Sequence, residues 1–62
     1  MLYLITAYNI DGSFRQWAQR VDVSGIDHEH HVTHAMREAI RTDQYASNPG
    51  IHPVQTYHCR LL

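Results

Sequence analysis

"LYLITAYNIDGSF", residues 2–14, decides the architecture. Its first nine residues are aliphatic, aromatic and β-branched types, the composition of a strand. Alternation places Leu2, Leu4, Thr6, Tyr8 and Ile10 on one face and Tyr3, Ile5, Ala7 and Asn9 on the other. Both sets are largely apolar, which is the pattern of a central strand. Asp11-Gly12 follows and reads as a hairpin turn, because the tight return of the chain needs positive φ near its centre.

The chain downstream of this turn, "SFRQWAQRVDV" (13–23), reads as the returning strand, with Arg15, Trp17, Gln19, Val21 and Val23 on one side. Phe14 has the opposite parity to Trp17, which predicts a bulge or bend between them. A helix is next. Val32, Ala35, Met36, Ala39 and Ile40 recur at i, i+3, i+4, i+7 and i+8, the spacing of an apolar stripe. Asp27 suits the N-cap, and the helix dipole favours Glu29 in the first turn. Asp43 stands where the stripe would continue, so the packed part is expected to end near Arg41 and to fray to about Ala46. "SNPGIHP" (47–53) is a loop by its Asn-Pro-Gly turn and its second proline. "VQTYHCRLL" (54–62) alternates again, with Tyr57, Cys59 and Leu61 opposite Thr56, His58 and Arg60.

The order is therefore strand, strand, helix, strand. A hairpin followed by a right-handed crossover gives sheet order 2-1-3, antiparallel or mixed, with the helix on one face. The expected fold is a two-layer α+β sandwich forming a single domain over 1–62. It has two open strand edges and one uncovered sheet face.

A 62-residue chain buries only about 60% of its unfolded surface, so its core is marginal and a homodimer is expected. The single cysteine, Cys59, cannot form an intrachain disulfide and suits a reducing compartment such as the cytoplasm. No stretch approaches the roughly 18 apolar residues of a membrane helix, and the apolar start is read as a strand, not a leader. Five arginines against six acidic residues give a net charge of −1, too little for binding nucleic acid by a dense basic patch. The serines and glycines lie in separate turns, with no nucleophile–base constellation and no phosphate loop. The chain is read as non-enzymatic.

Four of the six histidines crowd into residues 28–34. His30 and His34 are spaced i, i+4, as two ligands of one cation would be. They form an outward ridge with Arg37 and Arg41. "HEHHV" begins like the zinc-protease motif HExxH, but Val32 stands where the second histidine should be. Zinc wants three or four ligands, so His30 and His34 would bind it best across a subunit interface. A pH switch is a further use of such a cluster, and a plain solvated helix face is the simplest reading.

Six aromatic residues exceed what one helix can cover, and aromatic and arginine side chains mark interface hot spots. The candidate partner-binding residues are Tyr3, Arg15, Trp17, Arg20 and Arg60 on the sheet, and His30, His34, Arg37 and Arg41 on the helix. In size and in its hairpin–helix–strand plan the chain is loosely similar to small phage and mobile-element accessory proteins, including inhibitors of bacterial defence. That resemblance implies a module that binds and blocks a larger host protein. The alternatives are a metal- or small-ligand-binding oligomer built on the histidines, and a single-stranded nucleic-acid binder that uses the open sheet face.

Overall fold

A computed structural model describes residues 1–46 and 54–62, including all their side chains except those of residues 45 and 46. Its elements are β1 (Leu2–Asn9), β2 (Phe14–Arg20), a single 3₁₀ turn (His28–His30), α1 (His31–Ala46) and β3 (Val54–Leu61). The strand order is β2-β1-β3, and β1 runs antiparallel to both neighbours. This is the expected α+β sandwich, with β1 central. The loop read at 47–53 lies outside the described residues.

The hairpin closes through Asn9 and Ser13, whose backbones bond at 2.8 Å, with Gly12 N–H donating back to the Asn9 carbonyl at 3.1 Å. Gly12 takes φ +89°, a left-handed position that only glycine adopts freely, while Asp11 does not. The connection is thus a three-residue loop. Asp11 supports it with a carboxylate that accepts from both the amide and the hydroxyl of Ser13.

The second strand stops at Arg20, short of the expected Val23. The first strand supplies no ladder partner beyond Met1, whose ammonium and carbonyl pair with Val21. An Asx turn at Asp22 then turns the chain, its carboxylate accepting from the Ser24 amide at 2.9 Å. The bulge expected between Phe14 and Trp17 is absent. The β1–β2 register runs unbroken from Leu2↔Arg20 to Tyr8↔Phe14. Phe14 keeps its parity because it has a partner there: its ring packs on Tyr8 across the strands, centroids 6.1 Å apart. The irregularity falls instead between Tyr8 and Asn9 in the β1–β3 ladder.

The core lies between α1 and the face of β1 that carries Tyr3, Ile5 and Ala7, joined by Val21, Ala35, Ala39 and Cys59. Trp17, Val23, Met36 and Tyr57 pack around it. Ala35 and Ala39 are fully buried, so small side chains let α1 lie close on the sheet. Val32, which the periodicity placed in the stripe, is half exposed. The stripe continues the other way, through Ala35 and Ala39 to Asp43, which is only 6% exposed. Asp27 occupies the N-cap position, but its side chain makes no capping bond; its carbonyl accepts from His30 N–H at 2.8 Å, which tightens the first turn to 3₁₀.

Candidate functional site

Three places gather side chains that could do something: the polar network beneath α1, the histidine-rich helix start, and the uncovered face of the sheet.

The network beneath α1 centres on Asp43. Arg15 of β2 grips its carboxylate with two guanidinium nitrogens, the second at 2.9 Å from Oδ2. The Tyr57 hydroxyl of β3 donates to the same Oδ2. One helix residue is thereby tied to both outer strands. The Arg15 guanidinium is held charged above its ordinary value by this bond to Asp43. Burial and the hydrogen bond to Asp43 push the Tyr57 hydroxyl up to about 12. A second polar link joins Gln19 of β2 to Thr42 of α1 at 3.2 Å. These bonds join the parts of a small fold. Asp43 interrupts the apolar stripe in the sequence, yet it stands three and four residues beyond the stripe positions Ile40 and Ala39, on the side that packs.

Among the described residues the histidines do not converge on one site. Nε2 of His31 lies 2.7 Å from the Ile26 carbonyl, and its ring packs on His28 with centroids 5.3 Å apart. His30 gathers with Asp27 and Glu29, their ligand atoms within 4.8 Å of one another and all three residues exposed. His34 leaves the outward ridge and lines a shallow cavity of about 260 Å³ with Gln19, Arg20, Val21, Asp22 and Glu38. Asp22 there is held below the usual carboxylate range by its hydrogen bonds from Ser24. Arg37 and Arg41 are exposed, and Arg41 bridges Glu38 one turn back. Cys59 is buried under the helix and its thiol is pushed up by that burial; His58 points to the other face of the sheet.

Three of the expected partner-binding residues lie on the helix side of the sheet, Tyr3 buried and Arg15 and Trp17 partly buried. Tyr3 is 1% exposed, because its parity is that of Ile5 and α1 covers that side of β1. Trp17 shares the helix-facing side and is half-buried against the core, its indole N–H donating to Gln19 at 2.9 Å. Arg15 is turned inward to Asp43.

The uncovered face is ordered in rows by the strand register. Phe14, Tyr8 and Thr56 form one end; Gln16, Thr6 and His58 come next, with Gln16 donating to the Thr6 hydroxyl at 3.0 Å. Ala18, Leu4 and Arg60 follow. Arg20 and Leu2 close the other end with Leu62, whose amide donates to the Leu2 carbonyl at 2.9 Å. Phe14 is 61% exposed, Tyr8 42%, Leu2 37% and Leu62 54%. Arg20 and Arg60 form no salt bridge among the described residues. The face thus has an aromatic end, a polar middle, and an end of mixed aliphatic and arginine side chains.

The chain matches no protein-family model, and no curated protein or solved structure is significantly similar to it. No helix among the described residues is long and apolar enough to cross a membrane.

Proposed function

We propose that this chain is a non-enzymatic protein-interaction module that binds through the uncovered face of its sheet. The observation that carries this reading is the exposure of Phe14, Tyr8, Leu2 and Leu62 in ordered rows on one surface. Exposed apolar side chains gathered at both ends of one face favour a covering partner, since burying them gains about 25 cal/mol per Å². On the other side of the sheet the polar groups are engaged with one another in joining the fold. Binding of this sort acts by covering a surface of a larger protein, the mode of an accessory or inhibitor. The single buried thiol of Cys59 fits a reducing compartment such as the cytoplasm.

The Tyr8–Phe14 ring pair, with Arg20 and Arg60 on the same face, supports a second reading as a binder of single-stranded nucleic acid. The aliphatic Leu2 and Leu62 weigh against it, because they offer bases nothing to stack on.

Photo-crosslinking in producing cells tests the first reading. A photoreactive phenylalanine analogue at position 14 should yield protein adducts, while one at Thr33, exposed on the helix, should yield few. Absence of protein adducts from position 14 overturns the proposal.

A further inference from the structure

We infer that the partner of the open face is an acidic protein surface, one that presents two carboxylates to Arg20 and Arg60 with an apolar side chain between them. This rests on the interaction-module reading above and names the chemistry of the partner.

Charge in this chain is sorted by side. None of its six carboxylates falls on the open face. Glu38 and Asp43 stand on α1, where they hold Arg41 and Arg15. Asp27 and Glu29 lie at the helix start with His30. Asp11 and Asp22 sit in turns, accepting from the amides of Ser13 and Ser24. Arg20 and Arg60 remain on the face as exposed cations that form no salt bridge among the described residues. A chain of net charge −1 therefore has one surface with two cations and no anion. Its electrostatic complement is acidic.

The strand register sets the spacing. Arg20 stands opposite Leu2 on the β2 side, and Arg60 stands opposite Leu4 on the β3 side, one row further along. Two strand spacings sideways and two residues lengthwise put their Cα atoms roughly 12 Å apart. Leu2 and Leu4 run between them. A guanidinium grips a carboxylate through two parallel hydrogen bonds, so each arginine fixes its anion in orientation as well as in place. A partner with two carboxylates at this separation meets both arginines while an apolar side chain between them covers Leu2. The phosphates of a single strand would also attract the arginines, but the rings that its bases need are elsewhere. Phe14 lies six residues from Arg20 along β2, roughly 20 Å away, and only aliphatic side chains separate the two arginines.

The test places a photoreactive phenylalanine analogue at Ala18, which is exposed in the row of Leu4 and Arg60. The full chain is cross-linked in producing cells, and the attached segment is sequenced by mass spectrometry. The expected adduct is a protein segment with two acidic residues no more than about eight residues apart, the helical reach of 12 Å. Arg20→Glu combined with Arg60→Glu should cut its yield about tenfold, because both carboxylates then face like charge. Arg37→Glu combined with Arg41→Glu, on the helix, should leave the yield unchanged. Circular dichroism shows that each variant is folded. A neutral or basic attached segment overturns the inference, as does a second copy of this chain, a yield that survives reversal at positions 20 and 60, or an equal loss from the helix pair. Each of these outcomes leaves the interaction-module reading standing. Adducts that only a nuclease removes, or no protein adduct from position 14 or 18, would overturn that reading too.

Discussion

Asp43 carries its carboxylate into the boundary between helix and sheet, where an isolated charge would be costly. Two guanidinium donors and one hydroxyl meet it there. Asp43→Ala leaves Arg15 and Tyr57 without that acceptor and should destabilise the fold by about 2 kcal/mol, less than a fully buried pair because Arg15 is 33% exposed. In a domain of this size that is a fall of roughly 10 °C in Tm. Arg15→Met combined with Asp43→Leu should return stability to within about 1 kcal/mol of wild type in urea unfolding, since apolar replacements often match a buried ion pair. A larger remaining loss would mean that the network exceeds apolar packing. Tyr57 supplies a pH signature. Its hydroxyl titrates at about 12 in the fold, against 10.0 ordinarily, so the folded chain keeps a proton that the unfolded chain loses first. The stability it contributes is full below pH 10 and falls as pH rises through 12. Tyr57→Phe should flatten that part of a Tm-versus-pH curve, and an unchanged slope would assign it to another group.

For the elements, the helix is set by which of its residues meets the sheet. Ala35 and Ala39 are fully buried between α1 and the strands, so Ala39→Leu forces the layers apart and should cost about 1–3 kcal/mol. Val32 is 48% exposed, and Val32→Ser should change stability by no more than about 0.5 kcal/mol. Chemical denaturation of the two variants checks the pair, and a large loss at Val32 would rotate the helix back to the stripe read from periodicity. The tight first turn has a related consequence. It carries His28–His30 as 3₁₀ before α1 begins, so the i, i+4 relation of His30 and His34 does not run through continuous α-helix. His30 falls in with Asp27 and Glu29, and His34 faces the β2 end.

At the scale of the whole molecule, 62 residues in two layers leave one sheet face for another surface to cover. On the other side of the molecule the helix carries Arg37, Arg41 and the clustered histidines, with Arg37 and Arg41 exposed. None of His28, His30, His31 and His34 lies on the uncovered sheet face. A chelator should therefore leave the native mass unchanged, whereas dissociation by EDTA would move the interface to the histidine-rich helix and favour a metal-bridged assembly.

Periodicity and turn chemistry are local, so the three strands, the helix and the glycine at the hairpin were all legible in the sequence, and the apolar character of both faces of β1 placed it at the centre. The same double-sided character hid which face α1 would cover. Leu2, Leu4 and Tyr8 match Tyr3, Ile5 and Ala7 closely enough in hydrophobicity that only docking of the helix assigned Tyr3 to the core and Tyr8 to the open side. Phe14 looked out of phase because its partner, Tyr8, is reached across the hairpin and not along the strand. Asp43 looked like the end of packing because its partners lie 28 and 14 residues away in the chain. The sequence by itself determined the elements and their order, through patterns that each segment carries alone. The tertiary structure decided the buried face, the place of the one buried carboxylate and the grouping of the histidines, because each depends on side chains that meet only once the layers have packed.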